Sequence, residues 1–175
     1  MVDKNGNDTN ITLPAKAKSN RIIIRPSPNG DSRTATEFLN REVCHEDIME
    51  HIRNVQLGMN LISKKIAQAG MLHDKTKVIY VDEYIDLVMA GVTGEEFKEC
   101  EWWFKHIHEE RHHLNDNVPV DVNLIDVIEM LVDGVMSSRG RLGVLDSNCC
   151  EISADVLMRA YWNTVEMLND MVVCK

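Results

Sequence analysis

Between Glu46 and Ala69, apolar residues return at helical spacing: Ile48, Ile52, Val55, Met59, Ile62 and Ile66. A period near 3.6 places all six on one face of a single helix, and no strand can use that pattern. The stretch reads as a long amphipathic helix with a buried stripe. Gly70 is placed to end it, where left-handed backbone is usual. With further helical segments downstream and almost no strand, the chain reads as an all-α domain.

The rest of the chain repeats the theme. Val78 to Ala90 carries Tyr80, Val81, Tyr84, Ile85 and Val88 and reads as a helix broken by Gly91 and Gly94. Thr93 is a candidate N-cap for a helix running to about Leu114, with Trp102, Trp103, Phe104 and Ile107 along it. Asn115 to Pro119 is a turn. Asp121 to Ser138 bears an apolar stripe of Leu124, Ile128, Leu131 and Val135 and an acidic one of Asp126, Glu129 and Asp133. Residues 139–143 read as a flexible basic loop, and Asp155 to Val173 as a last amphipathic helix. A short helix is expected from Thr34 to Arg41. Ahead of it lies a polar tail to about residue 20, then Ile22-Ile23-Ile24, an extended arm or edge strand stopped by Pro26. The expected organisation is a flexible tail and arm over residues 1–33 and one all-α domain over residues 34–175, a bundle of about five to six helices.

Charge narrows the partners. The formal net charge is −9, which repels a phosphate backbone and disfavours a nucleic-acid polymer. No apolar run approaches the ~18 residues of a membrane span, and no basic amphipathic helix suits a membrane surface. Five Cys, an odd number without CxxC, read as reduced thiols of a cytoplasmic protein. The tryptophan pair and the apolar arm leave room for a homo-oligomer.

The chemistry sits in the histidines. Five of seven fall at His73 or between His106 and His113. Imidazole mixed with carboxylate suits a divalent transition metal: Mn, Fe, Co, Zn or Ni. His108 and His112 are i, i+4 and share a helix face. His113 points about 100° away from His112 on an ideal helix, so both reach one site only at a helix end or where the helix loosens.

The order His51, His73-Asp74, His108, His112-His113, Asp126 resembles the HD-domain superfamily of metal-dependent phosphohydrolases. The runs HDKTK, WWFKHIHEERHH and DVIEMLVD are similar to a small group of uncharacterised HD-like proteins, many encoded by phages. The likeness covers about residues 45–138. It implies an all-α HD-like bundle holding one or two metal ions on His51, His73, Asp74, His108, His112, His113 and Asp126. His45 competes with His51 for the first ligand, and His106 with His108. Asp74 would bridge two ions or orient water. Lys75, Lys77 or Arg111 would hold phosphate oxygens. Glu83 or Glu129 would act as base or steady a ligand.

The resemblance implies hydrolysis of a small phosphorylated molecule, with a nucleotide as leading choice, in the cytoplasm of a cell or phage host. The alternative is a non-catalytic helical binding protein with a structural metal site, sequestering a nucleotide or holding a host protein.

Overall fold

The computed structural model describes residues 21–27, 30, 34 and 40–174. The expected polar tail and most of the expected helix from Thr34 to Arg41 lie outside the described residues. Among those described, the architecture is all-α with one small parallel strand pair.

The first helix, α1, runs Arg41–Leu72. Asn40 caps it, its side chain accepting from the Val43 amide at 2.9 Å. Gly70 does not stop it; the helix continues to Leu72. Asp74 stops it instead. It is the only non-glycine residue with positive φ among those described, at 54°, a conformation that Asp tolerates better than most.

Two short helices follow, α2 (Lys75–Ile79) and α3 (Val81–Met89), where one was expected. They meet at Tyr80, whose carbonyl accepts from Trp102 Nε1 at 3.0 Å. The expected helix to Leu114 is also divided. α4 (Gly94–Lys98) and α5 (Glu101–Glu109) are separated at Cys100, and residues 110–123 are turns. Tertiary bonds explain the early stop. Glu110 accepts from the Thr76 amide at 2.8 Å, and Asn117 Nδ2 donates to the Ile107 carbonyl at 3.0 Å. Asn117 replaces the bond that the Arg111 amide would make to that carbonyl in a continuing helix, and Glu110 caps an amide of α2 instead.

α6 spans Leu124–Leu142 and opens with a capping box between Asn123 and Asp126. The expected basic loop is its last turn. Arg139 and Arg141 lie where the helix dipole favours cations, and Gly143, at φ 72°, ends the helix. A 3-10 turn at Ser147–Cys150 leads to α7, Ala154–Met171, capped by Ser153. β1 (Ile22–Ile24) pairs in parallel with β2 (Val172–Cys174), Ile22 opposite Val172. The apolar arm is thus an intrachain strand. All five cysteines are free thiols, and no helix among the described residues is long and apolar enough to cross a membrane.

The core lies between α6, α7 and the turns before α6: Leu114, Val122, Val127, Met130 and Ala160. It does not include the α1 stripe. Leu61 is the one buried residue of α1. Ile48, Ile52, Val55 and Met59, expected inside, are exposed by 54, 41, 50 and 64 %.

Candidate metal centre

The turn at Asp74 places a carboxylate between two walls. On one side stands α6 with Glu129 and Asp133. On the other stand α5 and the turn after it, with His106, His112 and His113. Residues 110–113 make the second wall by alternation. Glu110 reaches α2 and Arg111 reaches α6, so His112 and His113 are held against the centre.

Four imidazoles converge there. His73 Nε2 lies 3.3 Å from Asp74 Oδ2, His106 Nε2 3.5 Å from Asp74 Oδ1, and His112 Nε2 3.8 Å from Asp74 Oδ1. His113 Nε2 lies 2.8 Å from His106 Nε2. Each Nδ1 faces an oxygen on the outer side. His73 and His112 have Glu129 Oε1 at 3.0 and 3.2 Å, His106 has Thr76 Oγ1 at 2.6 Å, and His113 has Asp116 Oδ2 at 3.9 Å. At His73 and His106 the oxygen is within hydrogen-bond reach of Nδ1, the arrangement that turns Nε2 towards an ion in metal sites generally.

The ligand-capable atoms form two groups that share Asp74: His73, Asp74 and His112, and Asp74, His106 and His113. Within each group the atoms lie within 4.8 Å of one another. Asp74 Oδ1 is buried without a hydrogen bond, as is His112 Nε2; His112 Nδ1, although 3.2 Å from Glu129 Oε1, makes none either. Such atoms are costly unless something occupies the space between them. The donor set of imidazole nitrogen and carboxylate oxygen fits a divalent transition metal.

Electrostatics divides the histidines. Hydrogen bonds to Asp133, Asp74 and Glu129 push His73 up to about 11. Burial pushes His106 down to about 4 and His113 down to about 3, with the charges of Lys77 and of His112, respectively, adding to it. Trp102 stacks on His106, ring centres 4.9 Å apart, and Trp103 meets His113 edge-on at 5.4 Å. The tryptophans are therefore the dry wall of this cluster. Burial opposes ionisation of Asp74 and Glu129, but bonds from His73 and Lys77 hold Asp74 well below the usual range, and His112 and His73 hold Glu129 at about 2.

Several expected residues stand elsewhere. His51 is exposed on α1, roughly 33 Å from His73 along the same helix; His45 is farther still. His108 is exposed and turned back on its own helix, Nδ1 2.8 Å from the Phe104 carbonyl. His106, its rival, takes the place. Asp126 is buried but paired with Arg111, Nε and Nη2 each 2.8 Å from its carboxylate oxygens. Arg111 also donates to Asp121 Oδ1 at 3.0 Å. That pair fastens the turn to α6 and leaves neither residue for metal or phosphate. Glu83 is exposed, 3.7 Å from Lys105. Lys77 does reach the centre, donating to Asp74 Oδ2.

Thr76 and Glu110 are functional neighbours that the sequence reading missed. Neither carries a signal beyond proximity to HD and HH. Comparison of the chain with family models, curated proteins and solved structures finds no match.

Proposed function

We propose that the chain is a metal-dependent phosphohydrolase acting on a small phosphorylated substrate, a nucleotide being the leading choice. The observation that carries this reading is the convergence of four Nε2 atoms on Asp74, with Oδ1 buried and unbonded. The HD pair sits at the centre of that arrangement. α6 contributes carboxylates there, as the HD likeness implies, through Glu129 and Asp133 rather than Asp126.

His73, Asp74, His106, His112 and His113 would hold one or two ions. Such an ion polarises a phosphoryl oxygen and makes hydroxide available from water near neutral pH. The chain's own residues do the rest. Glu129 orients His73 and lies beside His112, and Thr76 orients His106. A cleft of about 250 Å³ opens alongside, bounded by Lys65, Lys75, Glu129 and the Arg111–Asp126 pair. Lys65 and Lys75 offer point charges to a phosphate there, and Lys77 offers one beside Asp74. Glu109 and Glu110 also line the cleft, so its charge is mixed, and a phosphate there would depend on these lysines together with a bound ion.

A second reading is a structural ion in a non-catalytic binding protein. It draws on the burial of His106 and His112, 1 and 2 % exposed, because structural sites are closed. One experiment separates the two. Asp74→Asn keeps a residue that accepts positive φ. Metal content, helicity and phosphate release from a nucleotide panel with Mn, Fe or Co are then compared with wild type. Loss of metal and turnover with helicity retained supports the hydrolase. Unfolding of the variant supports the structural ion. A wild-type chain that takes up no metal ends both.

A further inference from the structure

We propose that the groove between α1 and α6 holds the apolar part of the substrate, which is then the phosphate monoester of an alkyl or aryl alcohol. This rests on the phosphohydrolase reading for where the phosphate sits and adds what the rest of the molecule is.

The groove has a volume of about 270 Å³. Ile125, Ile128, Val132 and Met136 of α6 form one wall, with Ile66 of α1 opposite. Its ionisable lining is confined to His73, Glu129 and Asp133. All three belong to the metal centre: His73 Nδ1 lies 3.0 Å from Glu129 Oε1, and its Nε2 3.6 Å from Asp133 Oδ1. The groove is therefore polar where it meets the centre and apolar away from it. A ligand with an anionic head and an apolar body has the same polarity, and pockets commonly pair apolar walls with a few placed polar groups in this way.

Charge sets the orientation. Glu129 and Asp133 repel an anion, so the head belongs on an ion at His73, Asp74 and His112, and the groove receives only what the head carries. A nucleotide sets a hydroxylated sugar next to its phosphate, and beyond the centre this groove has nothing polar to meet it. An alkyl or aryl group has no such cost and gains burial. The room agrees. Ile66 stands two turns before His73, about 10 Å along the helix, which accommodates a hexyl chain or a single ring.

Gly70 keeps the groove open. It lies four residues after Ile66 and three before His73, on the face they share. A Cβ there would meet nothing within 4 Å. A larger side chain at this position fills the groove without displacing protein.

The test uses the full-length chain loaded with Mn(II) and the methyl, butyl and hexyl phosphonates, whose C–P bond resists hydrolysis, so that calorimetry reads binding apart from turnover. Affinity is expected to rise roughly two- to fourfold per added methylene. Gly70→Leu is expected to remove most of that rise, with methylphosphonate affinity and helicity retained. Gly58→Leu, also in α1 with open space around its Cβ and outside the groove, is expected to behave as wild type. Val132→Asn, on the opposite wall and 56 % exposed, is expected to weaken hexyl but not methyl binding several-fold. An affinity independent of chain length overturns the proposal, as does a rise that Gly70→Leu and Val132→Asn both leave intact; either result leaves the phosphohydrolase reading to its own test. A rise that the variants blunt, with no phosphate released from hexyl phosphate, supports the groove and removes the hydrolase. No binding of any phosphonate overturns both.

Discussion

His73 Nδ1 lies 3.0 Å from Glu129 Oε1, across 56 positions of sequence, and the same oxygen stands 3.2 Å from His112 Nδ1. One carboxylate on α6 thus bonds His73 and stands beside His112, an imidazole from each side of Asp74. Glu129→Gln keeps the shape and removes the charge. The expected result is a loss of metal affinity of about 10–100-fold with the fold retained. Competition against a chromogenic chelator measures it. An unchanged affinity would remove Glu129 from the account.

The metal-free protein has opposed titrations, and their signs set its stability profile. His73 is raised to about 11 by Asp133, Asp74 and Glu129. Its contribution is complete below the unfolded value near 6.5 and is lost as pH rises towards 11. His106 and His113 are lowered to about 4 and about 3, burial being the largest cause. Below pH 6.5 the unfolded chain binds protons that these two refuse, so stability also falls as pH drops. Urea midpoints in chelator at pH 5, 7 and 9 are expected to be highest at pH 7. Metal uptake at pH 7 must displace the His73 proton, so calorimetry in two buffers should register about one proton released at that residue. A midpoint higher at pH 9 than at pH 7, or no proton release, contradicts this assignment.

Asp126 and His51 give the sharpest contrast with the sequence reading. Asp126 accepts from the Asn123 amide at 2.9 Å as well as from Arg111. Asp126→Ala should cost about 2–4 kcal/mol, from a broken ion pair and a lost cap. At saturating metal its stoichiometry should equal wild type. His51→Ala and His108→Ala should change neither stability nor metal content measurably, because both are exposed surface positions. Elemental analysis with denaturant melts decides. Metal lost from folded His51→Ala would reinstate the upstream ligand.

The contrast shows where the sequence stops informing. Helical period revealed α1 but not which side of it is covered, because an apolar stripe is equally well buried by the same chain or another. The His73-Asp74 pair was legible as a centre, and the acidic stripe of α6 as its neighbour. The choice of Asp126 within that stripe failed for a local reason: Asn123 and Asp126 form a capping box, which claims the first acid and leaves Glu129 and Asp133 to face inward. The break at Glu110 was hidden because Glu, Arg and His all tolerate helix. Long-range bonds to Thr76 and Asp126 impose it. That break also answers the geometric difficulty of adjacent histidines, since His112 and His113 sit in turns rather than on a helix.

Gly134 lies on α6 one residue beyond Asp133, and the 3-10 turn crosses directly over it. A methyl group there would meet the Cys149 carbonyl oxygen at 2.7 Å and Cys150 Sγ at 2.9 Å. The backbone carbonyl cannot swing aside without moving the turn, whose Cys149 thiol also donates to the Gly134 carbonyl at 3.2 Å. Gly134→Ala gains helix propensity of about 1 kcal/mol. It forces apart a contact whose cost is typically about 1–3 kcal/mol. The contact outweighs the gain because the obstructing atom is main chain, so the expected net is a destabilisation of up to about 2 kcal/mol. Gly140→Ala, also in α6 but with open space around its Cβ, should gain from propensity alone. Thermal melts of the two variants side by side test the packing, since equal shifts in the same direction would mean that the turn does not press on α6.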